Sequence, residues 1–389
     1  MKKLFLLLSV ILIFSACHHN DDPTPATAVS RTVLVYMVAD NSLTANVEAN
    51  VDSMIAGFKA TSNVGNLIIY LDDANKAPQL LKLQKNSDGS VSENIIKTYS
   101  EQNSLDVSVM KGILSDTYGS YPADSYGLVL WSHGYSWIPS AATKTVTTRW
   151  FGQDNTTTVQ GDSNNFMDIP DLANALTAAP HLDFIMFDAC FMSSVEVAYE
   201  LKDQADFLIA APTEIIDLGF PYKQIIEPMF SSQKNYTQIA SRYYNYYNAM
   251  SGEYKSATIA VTKCSELSNL AVATKKIIAA HADTVYKLVP SSIQLYDRET
   301  SSYHFAYDLG NFIEDVATAD EWASYQTQLN ATVVYKATTD NFINLKIDSN
   351  HFSGLGAYIP KASQTTYVGF FKTLSWYDAA GWNQTAWGN

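Results

Sequence analysis

Short, strongly apolar runs alternate with amphipathic segments from residue 31 onward, and this alternation constrains the fold more than any other feature of the chain. The runs VLVYMVA, NLIIYLDD and YGLVLW are too apolar for strands that expose one face to water. The segments between them place apolar residues at helical spacing. Strands and helices in this order predict an α/β fold with a mostly parallel central sheet covered by helices on both faces.

Residues 31–389 are predicted to form one domain, because no second linker follows residue 30. The predicted strands cover residues 31–40, 66–73, 126–134, 182–190, 206–214, 256–264 and 353–360. A hairpin is predicted over 79–99 and helices over 41–60, 104–121, 167–179, 191–205, 233–251 and 265–288, with Asn41 or Ser42 capping the first helix. Residues 135–165 are polar and lack a sustained period, so they are predicted to form a long surface loop.

The first residues, MKKLFLLLSVILIFSAC, read as an export signal. Two lysines precede an apolar run that is shorter than a typical transmembrane helix, and small residues precede Cys17. Residues 1–16 are therefore predicted to be a signal peptide. The stretch FSAC resembles a bacterial lipobox, which implies that Cys17 becomes the lipidated first residue of the mature chain. Residues 17–30 are then predicted to form a flexible tether. The protein is predicted to be an envelope lipoprotein on the outer membrane or cell surface of a Gram-negative bacterium. The alternative is a plain secretory signal in which Cys17 occurs by chance.

Charge and cysteine content narrow the classes of function. The formal net charge is -14, which argues against a nucleic-acid partner because phosphate contacts need basic side chains. Once Cys17 is assigned to lipid, Cys190 and Cys264 remain. In an exported protein these two could pair as a disulfide, and a reduced thiol would otherwise need a reason such as catalysis. No histidine has ligand-type spacing with a cysteine, so no metal site is predicted.

Two predicted strands end at reactive side chains, His133 in LWSHG and Cys190 in FDAC. The carboxyl ends of parallel strands open on one crevice, so an imidazole and a thiol could meet there if these strands are neighbours. The histidine would raise the thiolate fraction of Cys190, and a helix beginning at Cys190 would favour the thiolate further. The amides of Gly134 and Cys190 are candidates for an oxyanion hole. Asp188 lies two positions before Cys190, on the same face of the strand, unless it caps the helix that follows.

These residues carry a resemblance to the clostripain family of cysteine endopeptidases, relatives of caspases, gingipains and legumains. LWSHG and FDAC match the paired histidine and cysteine motifs, while VYMVADNSL and GLGAYIP resemble the opening and late strands. The resemblance implies a caspase-like α/β/α sandwich with His133 and Cys190 as the catalytic dyad. It also implies that Asp188 belongs to the pocket for a basic P1 side chain, P1 being the substrate residue before the cut bond.

The resemblance brings three further expectations. The family's second acidic pocket residue has no clear match in APTEIIDLGFPY, where Asp217 or Glu214 could substitute. Family members are often single chains that cut themselves between the histidine and cysteine strands, and loop 135–165 offers Lys144 and Arg149 for such a cut. Calcium often stimulates the family, although no dedicated calcium loop is visible here and no cofactor is expected to be required.

Two classes of function follow. The first is a monomeric, lipid-anchored cysteine endopeptidase that acts on peptides or proteins, after Arg or Lys. The second is a catalytically inactive surface lipoprotein that uses the same fold to bind peptides or glycans.

Overall fold

The computed structural model describes residues 30–62, 65–138, 151–155, 166–288, 290–299 and 304–388. The predicted signal peptide, Cys17, Lys144 and Arg149 lie outside these residues, and the predicted loop 135–165 is described only at residues 135–138 and 151–155.

The strands are β1 (Thr32–Ala39), β2 (Asn66–Asp73), β3 (Lys76–Lys85), β4 (Val91–Thr98), β5 (Tyr126–Trp131), β6 (Leu182–Asp188), β7 (Ala205–Ala210), β8 (Thr258–Lys263), β9 (Tyr307–Asp308), β10 (Val333–Thr338), β11 (Asn341–Phe342), β12 (Leu345–Lys346) and β13 (Gly356–Ala357). The helices are α1 (Val47–Ala60), α2 (Val107–Ser120), α3 (Ile169–Leu176), α4 (Val195–Leu201), α5 (Tyr222–Met229), α6 (Thr237–Asn248), α7 (Leu267–Ala280), α8 (Ala282–Lys287), α9 (Leu309–Val316), α10 (Ala319–Thr332), α11 (Thr365–Phe371) and α12 (Ser375–Ala379).

The described residues contain one nine-stranded sheet in the order β10-β8-β7-β6-β5-β1-β2-β3-β4. Its five central strands, β7 to β2 in that order, are parallel, whereas β3 and β8 run antiparallel to their inner neighbours. The predicted mostly parallel sheet is confirmed. Every residue of β1, β2 and β6 is buried, which explains why these strands read as continuous apolar runs.

Helices pack on both faces of the sheet. Helices α1, α5 and α6 pack against one another in one layer, and α2, α3, α4 and α12 form a connected layer that also contacts α7. In the sheet, β2 lies on one side of β1, whereas β6 lies on the other side of β5, so the connections β1-α1-β2 and β5-α3-β6 run in opposite directions. Because such crossovers are right-handed, their helices lie on opposite faces of the sheet. The architecture is therefore the predicted α/β/α sandwich.

The helix after Cys190 begins later than predicted. Helix α4 starts at Val195, where the Ser194 hydroxyl accepts a hydrogen bond from the Val197 amide at 3.3 Å. The preceding backbone is bound elsewhere, because the amides of Phe191 and Ser193 donate to carbonyls that follow β7, at 2.8 and 3.0 Å. Phe191 also has a positive φ of 63°, which no helix contains. The prediction that a helix dipole acts directly on Cys190 is therefore wrong.

Several other boundaries also differ from the sequence prediction. Of the predicted strand 353–360 only Gly356–Ala357 is a strand, β13, and it pairs with β9 outside the nine-stranded sheet. Helix α1 follows a 3₁₀ turn and is not capped by Asn41 or Ser42, whose side chains point to other partners. The predicted helix 265–288 is interrupted at His281, which separates α7 from α8.

Asp72 is a wholly buried carboxyl at the end of β2, and it makes the stability of the fold depend on pH. The Ser104 hydroxyl donates to Asp72, while the Ser104 amide donates to Asp154 at 2.6 Å. Burial, together with the negative charge of Asp154, raises the pKa of Asp72 to about 8. The carboxyl is therefore protonated in the folded protein at neutral pH.

We expect Asp72→Asn to gain stability relative to the wild type as pH rises. The pKa of Asp72 is higher in the folded protein than in the unfolded chain, so its protonated carboxyl stabilises the wild type. This contribution to the unfolding free energy is complete below about pH 4 and is lost progressively up to about pH 8. The difference in unfolding free energy between variant and wild type should therefore rise by up to about 1.4 kcal/mol per pH unit and then level off. Urea unfolding at pH 5 to 9 measures it, and a difference that stays flat over this range would contradict the assignment.

Candidate active site

His133 and Cys190 follow two neighbouring strands of the sheet. Strands β5 and β6 are parallel, with Trp131 opposite Asp188, and the Ser132 amide donates to the Asp188 carbonyl at 3.3 Å. The neighbouring strands that the sequence argument required are therefore present. His133 and Cys190 both line one cleft of about 450 Å³ at the carboxyl ends of these strands. A thiol and an imidazole thus share a substrate-sized cavity.

Gly134 lets the chain after His133 pass close to the backbone of Cys190. A Cβ at this position would lie 2.7 Å from the Cys190 carbonyl oxygen and 3.1 Å from its amide nitrogen, so a larger residue would push the two segments apart. Among the described residues, neither the Gly134 amide nor the Cys190 amide donates a backbone hydrogen bond. Both amides therefore remain candidates for holding an oxyanion, as the sequence predicted.

The Cys190 thiol is neutral in the resting protein. Burial raises its pKa to about 12, and the carboxylates of Glu214 and Asp188 act in the same direction, although the Ile215 amide donates to Sγ at 3.3 Å. Burial also lowers the pKa of His133, so the imidazole is neutral as well. The expected thiolate is thus absent at rest. Cys190 and Cys264 are both free, so the disulfide alternative is wrong.

Asp188 lies on the wall of the same cleft and is only 5% exposed. Its Oδ2 accepts hydrogen bonds from the Phe220 amide at 3.0 Å and from the Tyr222 hydroxyl at 2.8 Å. Within the described part of the chain its Oδ1 has no hydrogen-bond donor. Burial raises the pKa of Asp188 to about 6. Because Ser194 caps α4, the helix-cap alternative for Asp188 is wrong.

The loop after β7 lines the cleft and carries both candidates for the second acidic pocket residue, Glu214 and Asp217. Glu214 forms an ion pair with Arg298, whose Nε and Nη2 lie 3.0 and 2.9 Å from the same carboxylate oxygen. Asp217 also lines the cleft and is exposed, and no ion pair to it is formed by the described residues. The Asn46 side chain donates to the Asp217 backbone carbonyl at 2.8 Å, which fixes the loop and leaves the carboxylate available.

Several residues that line the cleft or contact His133 were not predicted to be functional from the sequence. The Ser42 hydroxyl lies 2.9 Å from His133 Nε2, although its position suggested a helix cap. Arg298 comes from a distant segment beside β9, and Glu253 and Tyr254 form part of an exposed rim. Ser42 lies within VYMVADNSL, which was matched to the family only as an opening strand, whereas no local motif marks Arg298, Glu253 or Tyr254.

The described residues also bear on metals and membranes. No group of three or more His, Cys, Asp or Glu side chains among them is placed to hold a metal ion, and activation by calcium stays a prediction. None of the helices in the described ranges is both long enough and apolar enough to span a bilayer.

An α/β/α sandwich whose parallel strands end at a histidine and a cysteine in one cleft defines the class as caspase-like cysteine peptidases. A sequence profile of the clostripain family, peptidase family C11, matches residues 35–387. The chain belongs to the clostripain family.

Known proteins of this family resemble the chain in sequence and structure. Clostripain of Hathewaya histolytica is 26% identical over 220 residues, which are 50% of this chain and 41% of that protein. The chain is also similar to the crystal structure of an inactive zymogen C11 protease from Parabacteroides distasonis, with 34% identity, a TM-score of 0.80, and coverage of 91% of this chain and 99% of the other. A secreted C11 cysteine protease from Bacteroides thetaiotaomicron, solved with an irreversible peptide inhibitor, gives 35% identity, a TM-score of 0.78, and coverage of 92% and 100%.

Proposed function

We propose that the protein is a cysteine endopeptidase in which Cys190 is the nucleophile and His133 the acid and base. The observation that carries the proposal is the single cleft lined by a thiol, an imidazole and a buried carboxylate. The peptide inhibitor bound to the Bacteroides thetaiotaomicron protease supports peptides as the substrate class. Peptides and proteins are therefore the proposed partners of the cleft.

The reaction begins from a neutral pair. As substrate excludes water from the cleft, the Cys190 thiol passes its proton to His133 and the sulfur attacks the scissile carbonyl carbon. The carbonyl π electrons move to the oxygen, and the amides of Gly134 and Cys190 hold the resulting oxyanion. Collapse of the intermediate breaks the C–N bond, and the leaving amine takes the proton from His133. Water then attacks the thioester while His133 accepts its proton, and the proton returns to sulfur as the acid product leaves.

The cleft favours a basic side chain at P1. Its wall carries the carboxyl of Asp188, and the exposed carboxylates of Asp217 and Glu253 lie on its rim. The positive charge of Arg298 is matched by Glu214. An Arg or Lys side chain at P1 can therefore form an ion pair with Oδ1 of Asp188. Asp217 is the proposed second acidic residue of the pocket.

Profiling a fluorogenic peptide library with varied P1 residues tests this function. We expect cleavage after Arg and Lys, and stoichiometric labelling by an Arg-containing peptide chloromethyl ketone that disappears in Cys190→Ala and in His133→Ala. Efficient cleavage after acidic or aliphatic P1 residues would reject the basic pocket. A protein that neither cleaves nor is labelled by any peptide would favour the alternative, a surface lipoprotein that only binds peptides or glycans.

We also propose that the chain cuts itself within loop 135–165, at Lys144 or Arg149, which lie outside the described residues. The zymogen form of the Parabacteroides distasonis relative supports the idea. The two described parts of the loop, 135–138 and 151–155, are fixed to the fold and lie on either side of Lys144 and Arg149. Trp137 packs on Tyr358 and Phe371, and the Asn41 side chain donates to the Gln153 carbonyl at 2.6 Å.

We expect the two fragments to stay together after the cut. Strands β5 and β6 would belong to different fragments yet remain paired in the centre of the sheet, so separation would require unfolding. Denaturing electrophoresis should show two bands and native size-exclusion chromatography one peak, whereas Cys190→Ala should stay a single chain. A fully active protein that remains uncut would contradict self-processing.

We further propose that the protein is exported and held at the cell envelope by a lipid on Cys17. The lipobox-like FSAC supports the anchor, and the description of the Bacteroides thetaiotaomicron relative as secreted supports export. Metabolic labelling with a palmitate analogue should mark the wild type and not Cys17→Ala. Calcium activation is proposed on the family resemblance, and peptide-cleavage assays with added calcium or chelator test it. A monomeric state is also proposed, and light scattering tests it.

A further inference from the structure

The hydroxyl of Ser42 contacts the histidine of the candidate dyad. Ser42 Oγ lies 2.9 Å from His133 Nε2, a hydrogen-bonding distance. Ser42 follows β1, His133 follows β5 and Cys190 follows β6, and β5 lies between the other two in the sheet. The His133 ring is therefore within hydrogen-bonding distance of a hydroxyl from one neighbouring strand end, and it shares the cleft with a thiol from the other.

The turn that carries Ser42 is held in place, although the serine itself is exposed. The Asn41 side chain donates to the Val38 carbonyl at 3.0 Å and accepts from the Leu43 amide at 2.8 Å. These bonds on both sides of Ser42 define the position of its backbone, so its hydroxyl can act as a fixed partner for the ring.

The contact distinguishes the two ring nitrogens of His133. If Ser42 accepts a hydrogen from Nε2, then Nδ1 of the neutral ring carries no proton and can take one from the Cys190 thiol. The opposite tautomer would present an N–H to the thiol and could not act as a base. A neutral dyad therefore needs the tautomer that an acceptor at Nε2 selects.

We propose that Ser42 is a positioning residue that accepts the Nε2–H hydrogen bond of His133 and so makes Nδ1 the nitrogen that exchanges the proton with Cys190 and the leaving amine. The inference rests on the proposed function, because it assigns a role within that same dyad. Ser42 itself touches neither the thiol nor the scissile bond. After proton transfer, the same hydroxyl accepts from the imidazolium and stabilises its charge.

Other charged groups share the cleft with His133. They are Asp188, Glu214, Asp217, Glu253 and Arg298. Because these groups stay in place when Ser42 is changed, a difference between Ser42 variants reports the hydroxyl alone.

Nitrogen-15 NMR of the histidine rings in Cys190→Ala protein tests the tautomer without any need for catalysis. We expect His133 to show a protonated Nε2 and an unprotonated Nδ1 at neutral pH, and we expect this preference to be lost in the Ser42→Ala, Cys190→Ala double variant. A protonated Nδ1 in the parent, or an unchanged tautomer in the double variant, would overturn the proposal.

Kinetics in the active enzyme provide the second measurement. Ser42→Ala should lower kcat about 10-fold or more with little change in KM. It should also move the acid limb of the kcat/KM profile to lower pH, because the imidazolium loses an acceptor. Ser42→Thr, which keeps the hydroxyl, should restore both the rate and the profile. Unchanged kinetics in Ser42→Ala would refute the role.

Thr44→Val is the matched control, because it deletes a hydroxyl from the same turn that bonds only to backbone. We expect a lower Tm and an unchanged pH profile. If Thr44→Val shifts the profile as Ser42→Ala does, the effect belongs to the turn, and Ser42 has no specific role. If the wild type cleaves no peptide while the NMR tautomer still depends on Ser42, the proposed function fails, the catalytic role of Ser42 fails with it, and only the selection of the His133 tautomer by Ser42 stands.

Discussion

Replacing Cys190 with alanine should reduce kcat/KM for an Arg-containing peptide by roughly 10⁴-fold or more, because Cys190 is the only thiol among the described residues that line the cleft. The same substitution should abolish labelling by a peptide chloromethyl ketone. Iodoacetamide should react slowly with the wild type at pH 7, because burial raises the pKa of the Cys190 thiol to about 12. The peptide reagent should react faster, since binding holds its electrophile beside the sulfur.

Cys264 provides a matched control for the loss of a thiol. It is buried, 3% exposed, and does not line the cleft, and burial likewise raises the pKa of its thiol to about 12. Cys264→Ala should therefore keep kcat/KM within a few-fold of the wild type and lower the unfolding free energy by about 1 kcal/mol. Full activity in Cys190→Ala, or its loss in Cys264→Ala at unchanged Tm, would show that the nucleophile has been assigned wrongly.

Replacing Asp188 with asparagine should lower kcat/KM for an Arg substrate by about 10²-fold, the amount expected when a charged hydrogen-bond partner of a cation is removed. The variant should fold, because the asparagine carbonyl can accept from the Phe220 amide and the Tyr222 hydroxyl as Oδ2 does now. Its amide then faces the cleft and repels the guanidinium. A substrate with citrulline in place of Arg should be cut at nearly the same rate by both proteins.

The Asp188 carboxyl also predicts how substrate preference depends on pH. Burial raises its pKa to about 6, and only the ionised form attracts a cation, so the preference for Arg over citrulline should weaken as pH falls through about 6. In Asp188→Asn the ratio of the rates for Arg and citrulline substrates should be independent of pH.

The contribution of Asp188 to the stability of the fold has the opposite pH dependence. The buried carboxyl stabilises the fold when protonated, and this contribution is lost as pH rises from about 4 to about 6, so Asp188→Asn should not lower the Tm at pH 8. An Arg preference that survives the substitution would remove Asp188 from the pocket.

The parts of the fold that sequence reasoning found are those determined by local pattern. Strand β2 covers residues 66–73 as predicted, since every one of its side chains is buried and its apolar run has clear ends. The proximity of His133 and Cys190 followed from the rule that parallel strands open on one edge. Local pattern and topology together were sufficient to bring the thiol and the imidazole into one cleft.

The features that sequence reasoning missed depend on partners far along the chain. Helix α4 starts late because the backbone before it pairs with residues 211–213. Ser42 and its histidine partner are 91 positions apart, and Glu214 and Arg298 are 84 apart. Short-range periodicity contains no information about such pairs. The same reason explains the reversed charge state of Cys190, because burial by the assembled cleft outweighs any local helix dipole.

The neutral thiol of Cys190 also affects how the protein ages. Oxidation to sulfenic acid and beyond begins from the thiolate, so a cysteine that stays protonated at rest is attacked slowly by peroxide. The sulfur should therefore stay reduced until a substrate enters the cleft and His133 accepts the proton. The burial that makes the resting sulfur a poor nucleophile thereby also slows its oxidation between turnovers.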